Sequence, residues 1–197
     1  SLLHIVVNLI KTFSYCTMKS QEMVCEPLFM LLFMSCHFFT EISFHVINFL
    51  RSQGIEKFIF SLGYMHEVIE KYLHDQFPTL NYECSIEEEP LGTGGAIQMG
   101  FMKATDENVL IANGDTLFKA DLHKTFFFHN HNMAECTLLL KPMKAFDRYG
   151  VVETGTDHLV KNFKEKQFYK DGNINGGVYL LNKNKFLDEE FPDKFSF

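Results

Sequence analysis

From Gly54 onward, short apolar runs alternate with stretches of helical period, and no other feature restricts the fold as strongly. Ile55 to Leu62 reads as a strand, and Gly63-Tyr64 turns the chain. Met65 to Phe77 puts Val68, Ile69, Tyr72 and Leu73 on one side of a helix, which Pro78 stops. Leu80 to Ile86 is a strand, Glu87 to Gly95 a glycine-bearing loop, and Ala96 to Ala104 a helix. A strand through Val109, a short helix from Asp121 to Asn130 and a strand from Ala134 to Leu140 follow. Gly150 to Glu153 and His158 to Phe163 flank Thr154-Gly155-Thr156-Asp157, a hairpin signature. Asn173 to Leu181 is a strand, and Lys183 to Phe191 is mainly helical. Such alternation means βαβ units, hence a three-layer, Rossmann-like α/β fold with a mostly parallel sheet. The absence of repeats and linkers makes 1–197 one domain.

The first 50 residues differ. All 12 glycines lie from Gly54 onward, and the only Lys or Arg residues before Arg51 are Lys11 and Lys19. Leu2 to Ile10 fits a first buried strand. Phe38 to Arg51 has helical spacing, and Gly54 stands where a C-cap glycine belongs.

Asn108 to Asp115 gives a first hint of chemistry. Val109 to Ala112 is apolar throughout, as in a strand buried on both faces. It ends in Asn113-Gly114-Asp115, which puts a carboxylate at the C-terminal edge of the sheet, where open α/β sheets bind ligands. A carboxylate there suits a divalent cation and, through it, a phosphate. An ordinary Asn-Gly turn is the plain alternative.

Charge and cysteine content narrow the class. A net charge of −7 argues against nucleic acid as partner. Five cysteines, odd in number and without a C-x-x-C pair, read as reduced cytoplasmic thiols. The longest apolar run, Pro27 to Phe39, is broken by Ser35 and His37 and falls short of the roughly 20 residues of a membrane span. Leu2 to Ile10 lacks the basic flank and cleavage site of a signal peptide. A soluble protein without membrane attachment is expected.

Three further stretches suggest ligand contacts. The loop Glu87-Glu88-Glu89-Pro90-Leu91-Gly92-Thr93-Gly94-Gly95 enters a helix, where N–H groups and the helix dipole favour anions, although a plain turn explains it as well. Lys141 to Lys170 holds seven cations against four acids, a local positive excess that suits an anionic substrate or a solvated hairpin face. In Asn175-Gly176-Gly177 the glycines point to close backbone approach or a β-bulge, and Asn175 offers the donor and acceptor that sugar hydroxyls need. His129 and His131, two apart on a helix, lack metal-ligand spacing and read as surface residues.

Five motifs then appear in a set order: Glu-Glu-Pro-Leu-Gly-Thr-Gly-Gly-Ala (88–96), Asn-Gly-Asp (113–115), Arg-Tyr-Gly-Val-Val-Glu (148–153), Phe-Lys-Glu-Lys (163–166) and Asn-Gly-Gly-Val-Tyr-Leu-Leu (175–181). Together they resemble the sugar-phosphate nucleotidyltransferases, nearest the mannose-1-phosphate or D-glycero-D-manno-heptose 1-phosphate guanylyltransferase branch. The resemblance covers about Phe49 to Phe197. It implies attack of a sugar 1-phosphate on the α-phosphate of an NTP, GTP in this branch, giving NDP-sugar and pyrophosphate with Mg²⁺. Asp115 resembles the family's catalytic, metal-binding aspartate. Leu91, Gly92 and Thr93 resemble the loop beside the nucleotide base. Gly150, Glu165, Lys166 and Asn175 resemble the sugar-phosphate contacts. The NTP and the sugar 1-phosphate are then the partners, with a second copy of the chain left open.

Two departures bear on activity. The family opens with a strand, a Gly-Gly-x-Gly-Thr-Arg loop and a Pro-Lys-Pro segment that hold the triphosphate. Residues 1–50 contain no glycine or arginine, and the nearest echo, Cys25-Glu26-Pro27, carries a negative residue. Divergence, a shifted reading frame and a misassigned sequence would each produce this change. A second metal-binding aspartate would fall beyond Phe197. Losing one charge-stabilising donor costs about 10²–10³ in rate, so near-background transfer with surviving sugar-phosphate binding is expected. The alternative to an enzyme is a non-catalytic module that binds sugar phosphate or NDP-sugar.

Overall fold

The computed structural model describes residues 3–8, as backbone, and 41–197. Strand β1 is Leu3–Asn8, within the apolar run expected to form one. Helix α1 covers residues 41–52, and the expected residues 38–40 lie outside the described part. Gly54, at φ +88°, ends it with its N–H on the Arg51 carbonyl, the left-handed stop that glycine permits. Strand β2 is Ile55–Leu62, α2 His66–Gln76, β3 Asn81–Ile86, α3 Gly92–Phe101 and β4 Asn108–Asn113. Helix α4, Leu122–His131, is capped by Asp121, whose carboxylate accepts from the Lys124 N–H. Then come β5 (Cys136–Phe146), β6 (Val152–Thr154), β7 (Val160–Phe163), β8 (Tyr169–Asn182) and α5 (Lys183–Leu187).

Six strands form one sheet in the order β3-β2-β1-β4-β8-β5. The first four run parallel, while β8 is antiparallel to both β4 and β5. The expected hairpin is present as a separate two-stranded β6–β7 sheet. Val109 and Ile111 pack on one face of β4, Leu110 and Ala112 on the other. That two-sided burial explains the all-apolar run. Helices α1, α2 and α4 contribute Ile47, Leu73 and Leu122 to one face; α3 and α5 contribute Phe101 and Phe186 to the other. The result is the three-layer α/β architecture expected.

Several boundaries differ from the expectation. Helix α3 begins at Gly92 rather than Ala96, because long-range contacts described below hold a glycine-rich turn that has little helix propensity of its own. Val68, expected on the packed side of α2, is 41% exposed, and Ile69 and Leu73 bury that helix. Strands β5 and β8 extend further than expected because each pairs along the other from Cys136–Leu181 to Phe146–Tyr169. Helix α5 stops at Leu187; the acids Asp188, Glu189 and Glu190 oppose the helix dipole there.

Candidate functional site

The parallel strands β1 to β4 all end at one edge of the sheet, at Asn8, Leu62, Ile86 and Asn113. The turn Asn113-Gly114-Asp115 leaves that edge, and the Ser43 hydroxyl of α1 donates to the Gly114 carbonyl at 3.3 Å. Asp115 is half-exposed, and its Oδ1 accepts from the Thr116 hydroxyl at 3.1 Å. Its remaining lone pairs face no cluster: among the described residues, no three acidic, His or Cys groups gather to hold a metal. A lone carboxylate does not make a resident metal cage, but it fits an Mg²⁺ carried largely by water and substrate phosphates.

Strand β8 brings Asn175 to the same edge. Val178 pairs with Ala112, and a Cβ on Gly177 would stand 2.6 Å from the Asn113 amide nitrogen. Gly177 has φ +72°, so both its conformation and its space call for glycine. Opposite, Leu138 pairs with Tyr179 but Leu140 with Asn175, so β8 carries extra residues and bulges at the paired glycines. Both sequence readings of that pair, a bulge and a close backbone approach, are present. The bulge folds Asn175 back: its Oδ1 accepts from the Gly177 N–H at 2.8 Å, and its Nδ2 donates to the Tyr179 hydroxyl at 2.7 Å. One amide hydrogen and one carbonyl lone pair stay free, enough for a sugar hydroxyl.

The loop after β3 lies at this edge too. Glu87 is 7% exposed, and its Oε2 accepts from the Leu91 N–H at 3.0 Å. Burial pushes the Glu87 carboxyl above its ordinary value, against the Leu91 bond. The carboxylate thereby holds the turn of Leu91, Gly92 and Thr93. The far side of the turn is held by the chain's last residues. The Phe195 N–H donates to the Leu91 carbonyl at 3.0 Å, and the Gly94 N–H donates to the Phe195 carbonyl at 3.0 Å. A Cβ on Gly92 would strike the Phe195 carbonyl, and one on Gly94 its ring. The Gly94 glycine expected to admit a ligand therefore admits Phe195.

Gly150, Glu165 and Lys166 form a second group. A Cβ on Gly150 would strike the Lys164 carbonyl, and the Lys164 N–H donates to Val151 at 2.8 Å. Glu165 and Lys166 are exposed, and the Glu165 carbonyl accepts from the Tyr169 hydroxyl at 2.9 Å. The Val151 side chain would meet a Cβ on Gly172 of β8 at 2.7 Å. Gly172 precedes Asn175 by three residues, roughly 10 Å along an extended strand. The hairpin thus reaches β8 beside Asn175 rather than Asp115 itself.

One expectation is corrected. His129 is 1% exposed rather than on the surface, while His131 is exposed. His129 shares the buried face of α4 with Leu122; its Nδ1 meets the Thr137 hydroxyl at 2.8 Å and its Nε2 the Asn108 side-chain oxygen at 3.2 Å. Burial lowers its pKa. Sequence spacing had a usable signal, seven residues from Leu122 on a helix. Glu87 and Phe195 had none, because their partners are set by tertiary contact.

Known proteins resemble the chain in sequence and in fold. Residues 30–193 match the nucleotidyl transferase family model. The chain is 52% identical over 153 residues to D-glycero-alpha-D-manno-heptose 1-phosphate guanylyltransferase of Aneurinibacillus thermoaerophilus, covering 78% of this chain and 66% of that protein. It is 43% identical to the protein of the same name in Campylobacter jejuni, again over 66% of its length. The mannose-1-phosphate guanylyltransferase of Mycobacterium tuberculosis is 33% identical over 71% of this chain and 40% of its own. Crystal structures of HddC from Yersinia pseudotuberculosis superpose with a TM-score of 0.70 at 31% identity (78% of this chain, 67% of that one) and, for one complexed with GMP-PN, 0.75 at 24% (100% and 83%). The chain spans about two thirds of the length of the heptose relatives it matches. The ordered motifs, the sheet-edge site and these matches show that the chain belongs to the nucleotidyl transferase family.

Proposed function

We propose that this domain serves guanylyl transfer from GTP to a sugar 1-phosphate of heptose or mannose type, giving GDP-sugar and pyrophosphate. The observation that carries the reading is the meeting of Asn113-Gly114-Asp115 with Asn175-Gly176-Gly177 at the edge where the Leu91-Gly92-Thr93 turn also lies. The relatives named as heptose 1-phosphate guanylyltransferases and the neighbour complexed with GMP-PN support the choice of GTP and heptose. Asp115 would hold Mg²⁺ against the nucleotide phosphates, where the ion offsets developing charge. The turn would flank the base. Asn175 would donate to and accept from sugar hydroxyls, Glu165 would accept from them, Gly150 would leave room for the sugar, and Lys166 would face its phosphate.

The setting proposed is the cytoplasm, with no nucleic acid as partner. Free Cys84, whose thiol burial pushes up to about 12, is unreactive there. Among the described residues, no helix is long and apolar enough to cross a membrane.

A second reading is favoured by one observation: residues 1–50 hold no glycine or arginine. With the triphosphate loop absent, the domain would bind sugar phosphate or NDP-sugar without transferring. Pyrophosphate release from purified protein with Mg²⁺, GTP and heptose 1-phosphate separates the two. Turnover abolished by Asp115→Asn supports transfer. Background release with retained heptose 1-phosphate binding supports the binding module, and the absence of both overturns the reading of the site.

A further inference from the structure

Two aromatic residues connect the two halves of the site. The Phe197 N–H donates to the Thr93 hydroxyl at 2.8 Å, which fixes the end of the Leu91-Gly92-Thr93 turn. The Phe197 ring stands edge-on to Tyr179, with centroids 5.1 Å apart and planes at 78°. Phe186 of α5 backs it at 5.8 Å. The Tyr179 hydroxyl accepts from the Asn175 amide at 2.7 Å. One unbroken path of contacts therefore runs from Thr93 through Phe197 and Tyr179 to Asn175.

We propose that Tyr179 and Phe197 are positioning residues, a strut that sets the spacing between the nucleotide turn and the sugar-phosphate strand; this rests on the functional reading above. The reaction gives the spacing its importance. An oxygen of the sugar phosphate must approach the α-phosphorus to about 3–3.5 Å in line with the leaving pyrophosphate. Each half can hold its own ligand wherever the other half stands. A ligand that spans both halves gains from two sites only when their separation matches its length. Tyr179 suits a fixed member of such a path. It is half-buried within the apolar cluster around Ile111 and Phe186, and burial raises its pKa, so it stays a neutral hydrogen-bonding phenol.

The test uses the full chain and calorimetry with three ligands: GDP for the nucleotide half, heptose 1-phosphate for the sugar half, and GDP-heptose, which spans both. Phe197→Ala is expected to weaken GDP-heptose about tenfold or more while GDP and heptose 1-phosphate each change less than about threefold. Phe197→Tyr keeps the ring and is expected to restore binding of GDP-heptose. Tyr179→Phe keeps the ring contact and removes the Asn175 bond, so it weakens the two sugar-bearing ligands and spares GDP. Equal losses for all three ligands in Phe197→Ala, or no loss for GDP-heptose, overturn the strut alone. A parent chain that binds none of the three overturns the functional reading, and the strut with it.

Discussion

The parallel half of the sheet and the β6–β7 hairpin are built on opposite terms. Most of β2 and the whole apolar stretch of β4 are buried, with Phe58, Ile59 and Leu110 at 0% exposure. Every residue of β7 is exposed, with Phe163 at 61%. Asp115 and the Leu91-Gly92-Thr93 turn hang from the buried half, while Glu165 and Lys166 extend from the open one. The difference teaches a division of labour. In the function proposed above, the buried half would fix where phosphate chemistry occurs, and the hairpin would bring charge beside it at little cost in stability.

The largest expected effect breaks the buried half. Phe58→Ala removes a fully enclosed ring and is expected to cost about 3–5 kcal/mol by chemical denaturation. A cost below about 1 kcal/mol would show that stability does not centre there. Next comes the junction between the halves. Gly177→Ala forces a side chain onto φ +72° and against Asn113, at an expected cost of about 1–3 kcal/mol together with weaker sugar-phosphate binding. Full retention of both would separate Asn113 from Asn175 functionally.

A smaller, pH-dependent effect belongs to His129. Its folded pKa lies below the ordinary 6.5, so the unfolded chain takes the proton first as pH falls. Its contribution is fully present above pH 6.5 and is lost as pH falls from there towards the folded value. Melting temperature should therefore drop below pH 6.5, and His129→Gln should flatten that part of the profile. An unchanged slope in His129→Gln would assign the drop to other groups. The smallest effect sharpens the contrast: Leu159→Ser, at a position 62% exposed in the hairpin, should change stability by less than about 0.5 kcal/mol. A larger loss would mean that the hairpin packs on something that supports the fold.

How much was legible depended on how far apart the partners lie. Strand β2 was readable to the residue because Gly54 and Gly63 bracket it, and β4 nearly so, because a strand buried on both faces shows it as a continuous apolar run. The turn at Asp115 was readable because the apolar run stops there, and the glycine pair at 176–177 because crowded backbone, with positive φ at Gly177, demands glycine. The holding of the Leu91-Gly92-Thr93 turn was not readable. Thr93 and Phe197 are 104 residues apart, and no local period reports such a bond. His129 was misplaced because a polar residue on a helix looks like surface until its two hydrogen-bond partners, on β4 and β5, are known.

The central claim is that the β4–β8 edge binds a sugar 1-phosphate through Asn175, whether or not transfer follows. Calorimetric titration of heptose 1-phosphate into the parent chain and into Asn175→Ala tests it most directly. The account predicts saturable binding by the parent and a loss of about tenfold or more in Asn175→Ala, as for a charged or polar hydrogen-bond pair removed from a ligand site. Equal affinity in the two proteins, or no binding by the parent, would contradict it.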